Sequence, residues 1–296
     1  MSKVIGVIGL GSIGTRHARD LLEAGHTVRG YDTDMKCRLE LNGVLWEMEE
    51  LAETDALIIA TPTKNHLADI AFAVNHKLPF LVEKPIAHGS IDGLRGLLSL
   101  SDKPVMVGNN LRFHPCVIQT EKWLEERHIG TPLWGSFSVA QYTDKPPYLR
   151  DGVTLNWGAH EIDLACHLLG WEARVVTAAI DNSDAVADIC LSHSGNGARS
   201  RIHLDYVTRP QRRGFTIVGR AGHISVDLEE RTAIARFSSG DVDSVSFGGS
   251  FDDDYKSEMQ AFIELVDGKC GRGATAENGI KTLELILEAK AKAVPW

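Results

Sequence analysis

Eleven residues near the start, Val4-Ile5-Gly6-Val7-Ile8-Gly9-Leu10-Gly11-Ser12-Ile13-Gly14, constrain the fold more than any other stretch. Val4, Ile5, Val7 and Ile8 form a short apolar, β-branched run, the pattern of a parallel strand covered on both faces. Gly9, Gly11 and Gly14 come next in G-x-G-x-x-G spacing. The first suits a tight turn, the second lets backbone approach a pyrophosphate, and the third allows close helix-strand packing. A glycine-rich turn ahead of a helix needs no ligand, so the triplet gains meaning only from the residues downstream of it.

Ser12 to Ala24 reads as a helix, with Ile13, Ala18, Leu21 and Leu22 on one side and Gly25 placed to end it. Its N-terminal N–H groups and dipole favour an anion. Thr27 to Tyr31 is a second strand, and Asp32 follows it, where a carboxylate accepts the ribose hydroxyls of an adenosine. A carboxylate there repels a 2′-phosphate, so NAD is expected over NADP, with Lys36 and Arg38 keeping NADP as the second choice. The plain alternative for Asp32 is a turn residue ahead of Thr33-Asp34.

The alternation continues through a short helix at Met48 to Ala52, a strand at Ala56 to Ala60, and a helix from His66 to Asn75 that Asn65 is placed to cap. The loop Thr61-Pro62-Thr63-Lys64-Asn65 leaves the carboxyl end of its strand, where such sheets bind ligands. Leu78 to Val82 is a strand that ends in Glu83-Lys84-Pro85, two opposite charges at the mouth of a buried strand. A helix at Ile91 to Ser99 and a strand at Val105 to Val107 complete a doubly wound sheet.

With 296 residues and 43% hydrophobic content, the chain can bury the cores of about two domains. A net charge of −9 argues against a nucleic-acid partner or an anionic membrane surface. No stretch approaches the ~18 apolar residues of a membrane span, and the start lacks a signal h-region. Five scattered cysteines without a C-x-x-C pair read as reduced packing residues, and a cytoplasmic enzyme of small molecules is expected.

Five motifs occur in order: G-L-G-S-I-G at 9–14, A-T-P-x-x-x-H at 60–66, V-E-K-P at 82–85, N-L-R-F-H-P at 110–115 and H-E-I-D at 160–163. Together they resemble the glucose-fructose oxidoreductase / inositol 2-dehydrogenase / MocA family of NAD(P)-dependent oxidoreductases, in particular members acting on sugars or nucleotide sugars. The resemblance covers most of the chain and is strongest over 1–170. It implies a cofactor lying along Gly9, Leu10, Gly11, Ser12, Ile13, Gly14 and Asp32, then Ala60, Thr61, Pro62 and His66, and on to Glu83, Lys84, Asn110 and Arg112. It also implies that Lys84 sits by nicotinamide and substrate, and that Lys84-Pro85 is a candidate cis peptide bond.

The second half changes character. A helix at Val117 to Glu126 and a strand at Leu133 to Gln141 lead to a polar loop at Tyr142 to Gly152, and then to a helix carrying Asn156, Trp157, His160 and Asp163 and ending at Gly170. His160 and Asp163 share a helical face, so the carboxylate is placed to orient the imidazole. The family pattern here is D-x-x-x-H-x-x-D, with the first aspartate and the histidine catalytic, but position 156 is asparagine, which cannot accept a proton. Lys84 and His160 remain as acid/base candidates, and Arg112, Tyr148, Asn156 and Trp157 as substrate contacts. For His160 the plain alternative is a core histidine, and for Tyr148 and Trp157 it is packing. His160, Asp163 and His167 share the spacing of a metal face, but the resemblance gives the histidine to substrate, and no metal is expected.

Seven short β-rich runs between Arg174 and Phe247 form an antiparallel sheet with Ile202, Leu204 and Tyr206 on one face and Arg201, His203 and Asp205 on the other. In the family such a sheet is a dimerisation surface, so a homodimer or homotetramer is expected. Helices at Tyr255 to Val266 and Ala276 to Lys292 close the chain.

The expected architecture is α/β: an N-terminal Rossmann domain with a doubly wound parallel sheet (1–114, NAD-binding) and a C-terminal α+β domain with a largely antiparallel open sheet (115–296, substrate binding and oligomerisation). The expected function is an NAD-dependent oxidoreductase moving hydride between nicotinamide and a hydroxyl-bearing carbon of a sugar, polyol or nucleotide sugar. Two alternatives remain: a non-catalytic NAD- or sugar-binding regulator, and an NAD-dependent elimination or glycoside-cleaving enzyme without net redox.

Overall fold

The β-α alternation is present in a computed structural model that describes residues 1–38, 47–144, 151–269 and 271–294. In chain order come β1 (Val4–Ile8), α1 (Ser12–Glu23), β2 (Thr27–Tyr31), α2 (Met35–Arg38), β3 (Ala56–Ile59), α3 (His66–Asn75), β4 (Phe80–Glu83), α4 (Ile91–Leu98) and β5 (Val105–Gly108). Then come α5 (Pro115–Glu125), β6 (Pro132–Ala140), α6 (Val153–Leu169), β7 (Ala173–Ile180), β8 (Val186–His193), β9 (Arg199–Asp205), β10 (Arg212–Gly219), β11 (Gly222–Asp227), β12 (Thr232–Phe237) and β13 (Val242–Ser246). The last elements are α7 (Phe251–Val266), β14 (Ala274–Thr275), α8 (Ala276–Lys292) and β15 (Ala293–Val294).

Two compact units form, Met1–Asn110 with Phe251–Ile280 and Leu111–Ser250 with Lys281–Trp296. Residues 251–280, grouped by the sequence with the second domain, pack in the first. The apolar stripe of α7, with Met259, Phe262 and Ile263 buried, identifies a core helix but not the core it serves.

In the first unit the sheet order is β14-β5-β4-β3-β1-β2, parallel except for the short β14. Ile5, Val7, Ile58, Ile59, Leu81 and Val82 are fully buried, which is why these strands read as continuous apolar runs rather than alternating ones. Strand order reverses at β1, which pairs with both β2 and β3, so the carboxyl ends of β1 and β3 flank the switch point where ligands bind in such sheets. Gly25, with φ +85°, ends α1 as expected. Asn65 does not cap α3: its backbone is already helical and its side chain makes no cap bond, because a 3-10 turn at Thr63–Asn65 runs directly into the helix.

In the second unit nine strands take the order β13-β12-β11-β10-β6-β9-β8-β7-β15, antiparallel except for β6-β9 and β7-β15. Burial alternates along β8 and β9, and Ile202 and Leu204 face the side covered by α6. Gly158 of α6 lies so close that a Cβ there would be 3.4 Å from Leu204 Cδ1. Cys37, Cys116, Cys166 and Cys190 are free thiols, with Cys116 and Cys166 fully buried, whereas Cys270 lies outside the described residues.

Candidate active site

The glycine loop is shaped by backbone contact. Gly9 has φ +88°, and a Cβ on it would lie 2.7 Å from the Ala60 carbonyl oxygen; a Cβ on Gly14 would lie 1.8 Å from the Gly9 carbonyl oxygen. Gly11 differs, because a Cβ there would meet nothing within 4 Å. The loop is therefore closed on the sheet side and open at Gly11. The N-terminus of α1 begins there with no side-chain cap, leaving its N–H groups for an anion. A cavity of about 600 Å³ borders Leu10, Gly11, Ser12 and Thr15 and continues past Arg16 and Arg19.

Asp32 closes the other side. Its Oδ2 accepts the Leu10 N–H at 2.6 Å and its Oδ1 accepts the Asp34 N–H at 2.8 Å, so the carboxylate is fixed to the loop itself. An open glycine, an uncapped helix start and an anchored carboxylate after β2 fit the pyrophosphate and ribose of NAD. Gly11→Ala is expected to leave the melting temperature unchanged, since its backbone (φ −66°) suits alanine and the space is open, while weakening NAD+ binding roughly tenfold or more in a fluorescence titration.

The remaining residues of this half sit at the ends of β3 and β4. His66 is buried, with Nδ1 2.9 Å from the Pro85 carbonyl oxygen and Nε2 2.9 Å from that of Thr61. Both ring nitrogens face backbone carbonyls, so His66 ties the two strand ends together. Thr61 donates its hydroxyl to Asp69 at 2.5 Å; burial pushes the Asp69 carboxyl up, with Thr61 and His66 offsetting part of that. Glu83 turns inward, its Oε1 2.7 Å from His17 Nε2 and its Oε2 accepting the Lys84 N–H at 3.2 Å. Lys84 is half-buried, and Lys84-Pro85 is cis, as is Arg209-Pro210. Asn110 is buried.

In the second unit α6 carries the second group of expected residues. Its start is fixed by Asp184, whose carboxylate accepts the Thr154 N–H at 3.1 Å and the Thr154 hydroxyl at 2.7 Å. Asn156 Nδ2 donates to the Tyr206 hydroxyl at 2.6 Å. The Trp157 ring lies 6.2 Å from His160 and 6.4 Å from Tyr206, with the Arg213 guanidinium 5.1 Å above it. The Trp157 indole N–H has no acceptor among the described residues. Tyr148 lies outside the described residues.

One expectation is corrected by this geometry. Asp163 does not orient His160: its carboxylate is held bidentately by Arg112, Nε to Oδ2 at 2.9 Å and Nη2 to Oδ1 at 2.7 Å. The Arg112 side chain is 4% exposed and also lies 5.3 Å above the Trp171 ring. A buried guanidinium requires a carboxylate, and Asp163 is the one that α6 presents to it. His167 is engaged by Glu121, so the would-be metal face of α6 is split among separate partners.

The sequence did not single out Tyr206, Glu161 or Arg213. Glu161 is fully buried with Arg213 Nε 2.7 Å from its Oε1; burial pushes its carboxyl up and Arg213 pulls it back. The acidic residue beside His160 in H-E-I-D was the available signal. Tyr206 continues the inward face of β9, and its hydroxyl was the clue that this position differs from Ile202 and Leu204.

His114 caps α5 by accepting the Cys116 N–H at Nδ1, and its Nε2 donates to the Leu228 carbonyl at 3.2 Å. That pattern requires the neutral ring, and burial, reinforced by Arg231 and Arg213, brings its pKa down to about 4. An unfolded histidine titrates near 6.5, so below that pH the unfolded chain takes up a proton that the folded chain refuses. Stability should fall between about pH 6.5 and about pH 4, by up to about 3 kcal/mol. His114→Asn, which keeps a capping side chain, should flatten that dependence in acid melting curves.

Residues 3–108 match the family model described as an oxidoreductase family with an NAD-binding Rossmann fold, and residues 117–225 match the GFO/IDH/MocA C-terminal domain. The D-apiose dehydrogenase of Rhizobium rhizogenes is 32% identical over 169 residues, 52% of this chain and about half (48%) of that protein. The inositol 2-dehydrogenase 2 of Saccharopolyspora erythraea is 28% identical over 310 residues, 94% of this chain and 89% of that protein. Among solved structures, UDP-N-acetylglucosamine 3-dehydrogenase from Acidithiobacillus ferrooxidans superposes with a TM-score of 0.86 at 21% identity, covering 99% of this chain and 98% of the other.

Proposed function

The chain belongs to the GFO/IDH/MocA family of NAD-binding oxidoreductases, and from that premise we propose that it oxidises or reduces a hydroxyl-bearing carbon of a cyclic polyol, sugar or nucleotide sugar. The observation that carries this reading is the open glycine cradle with its anchored Asp32, in the same unit as Glu83-Lys84-Pro85 at the end of β4. Bound NAD supplies the hydride acceptor or donor at nicotinamide C4. The protein's own task is to position the carbinol and manage its proton. In the oxidative direction the hydroxyl O–H bond breaks as the C–H hydride departs, and the proton passes to Lys84 of the first unit or His160 of the second.

Around His160, Trp157 offers an aromatic face suited to a sugar ring, and Asn156 with Tyr206 forms a polar pair suited to hydroxyls. The polar face of the nine-stranded sheet, where Arg201 and His203 lie 2.8 and 3.2 Å from Asp188, is the surface we assign to a second copy of the chain; a solution mass of one chain by light scattering would contradict that. Among the described residues no helix is long and apolar enough to cross a membrane, and with its free thiols the protein is assigned to the cytoplasm.

The test is NADH formation with myo-inositol, D-apiose and UDP-N-acetylglucosamine as probes. Asn156 favours a second reading, in which hydride returns to the substrate and no net redox occurs, or no reaction ensues from binding at all. Asn156→Asp separates the oxidoreductase from the binding regulator: on the oxidoreductase reading it changes the rate of NADH formation, whereas for a binding regulator no variant at this position creates turnover.

A further inference from the structure

The Glu83-Lys84-Pro85 segment is braced from behind by α7. This helix packs along α1, with the Arg16 guanidinium 4.6 Å above the Tyr255 ring and 2.7 Å from Asp252. The same packing brings Glu258 to His17: a ring nitrogen of His17 and one oxygen each of Glu83 and Glu258 lie within 4.8 Å of one another. His17 and Glu258 are fully buried. The Glu83 carboxylate also lies over Gly108, where a Cβ would be 2.9 Å from Oε1.

The two carboxyl groups are treated differently. Glu83 has a donor at each oxygen, His17 Nε2–H on one and the Lys84 N–H on the other, and is the natural anion of the cluster. His17 Nδ1 is buried with no hydrogen-bond partner among the described residues. Glu258 has no ion-pair partner among the described residues, and the polar neighbour that bears on it is the Asn109 backbone N–H, which also donates to the Val107 carbonyl at 2.9 Å. Two carboxylates sharing a dry site do not both ionise. Burial, and then the Glu83 charge, push the Glu258 carboxyl well above the usual carboxylate range.

We propose that Glu258 is a positioning residue for the Glu83-Lys84-Pro85 segment, carried as the neutral acid beside the Glu83 carboxylate. The neutral acid spares Glu83 a like charge that would drive it away from His17 and from the Lys84 amide. The catalytic consequence rests on the oxidoreductase reading, but the protonation state does not.

The experiment compares the full-length protein with Glu258→Gln and Glu258→Leu, by thermal melting from about pH 5 to about pH 8 and by NAD+-dependent oxidation of myo-inositol. His17 and Asp20 of α1, Glu83 of β4, Lys84, and Asp254 and Lys256 of α7 are charged or titratable around this core; they are common to all three proteins, so differences isolate Glu258. A carboxyl with a raised folded-state pKa contributes stability at low pH and loses it as pH rises. The melting temperature of the wild type should therefore fall relative to that of Glu258→Gln as pH rises. Glu258→Gln, a neutral donor of the same shape, should keep kcat within about twofold, whereas Glu258→Leu should lower it about tenfold or more with the KM for NAD+ unchanged.

A melting difference that stays constant across pH would overturn the proposal, because Glu258 would then be ionised in the folded protein. So would one equivalent of divalent ion co-purifying with the wild type and absent from Glu258→Gln, and so would full activity in Glu258→Leu. The melting series needs no turnover, so failure of the oxidoreductase reading is told apart from failure of this one.

Discussion

Lys84→Ala should lower kcat by roughly 10²- to 10⁴-fold, the range expected when a positioned acid/base group is removed, while NAD+ affinity and melting temperature change little. Lys84 sits at the end of β4, half-buried, with its backbone N–H held by Glu83. Removing its ammonium deletes a proton acceptor or donor without opening a core cavity, so the loss belongs in kcat. His160→Ala should also cost turnover, and the double variant should fall at least as far as either single variant. Pre-steady-state NADH absorbance measured on the three variants checks this. If Lys84→Ala kept the wild-type rate, Lys84 would not be the proton-handling group.

The second large effect lies in stability. Asp163→Asn should destabilise the protein by about 3–5 kcal/mol, because it removes the charge of the carboxylate that holds the buried Arg112 guanidinium at two points. The double replacement Arg112→Met with Asp163→Leu, which removes both charges and keeps apolar volume, should recover most of that loss. Denaturant unfolding of the single and double variants measures the coupling. The expectation from helical spacing, in which Asp163 orients His160, makes the opposite prediction: a stable Asp163→Asn protein with depressed kcat. The bidentate geometry at 2.9 and 2.7 Å is why the stability outcome is the one expected.

The nucleotide half was legible in the sequence because it is local: β1, the glycines and Asp32 fall within one β-α-β stretch, and backbone requirements write themselves into residue type at each position. α3 and α8 could be bounded from their periodicity and flanking turns, and the β-rich second half from its alternation. What stayed hidden was partner choice across long separations. Asp163 lies three residues from His160 on one helix, yet its partner is 51 residues away in chain order, and nothing in helical spacing ranks the two. Glu258 lies in a helix whose pattern reveals burial but not which core receives it, so its meeting with His17 and Glu83 required the tertiary structure. The polar pairing of Asn156 with Tyr206 was likewise invisible, because a tyrosine on an inward strand position reads as packing until its hydroxyl finds a partner.

The central claim is that this chain transfers hydride between NAD and a carbinol carbon, with Lys84 and His160 handling the proton. The most direct measurement is the stoichiometry of NADH formed against carbonyl product, with the wild type and the Lys84→Ala/His160→Ala double variant incubated with NAD+ and each of myo-inositol, D-apiose and UDP-N-acetylglucosamine. The account predicts one NADH per carbonyl for at least one of these probes with the wild type, and loss of that formation in the double variant. Tight NAD+ binding with no NADH from any probe, or equal NADH formation by the wild type and the double variant, would contradict it.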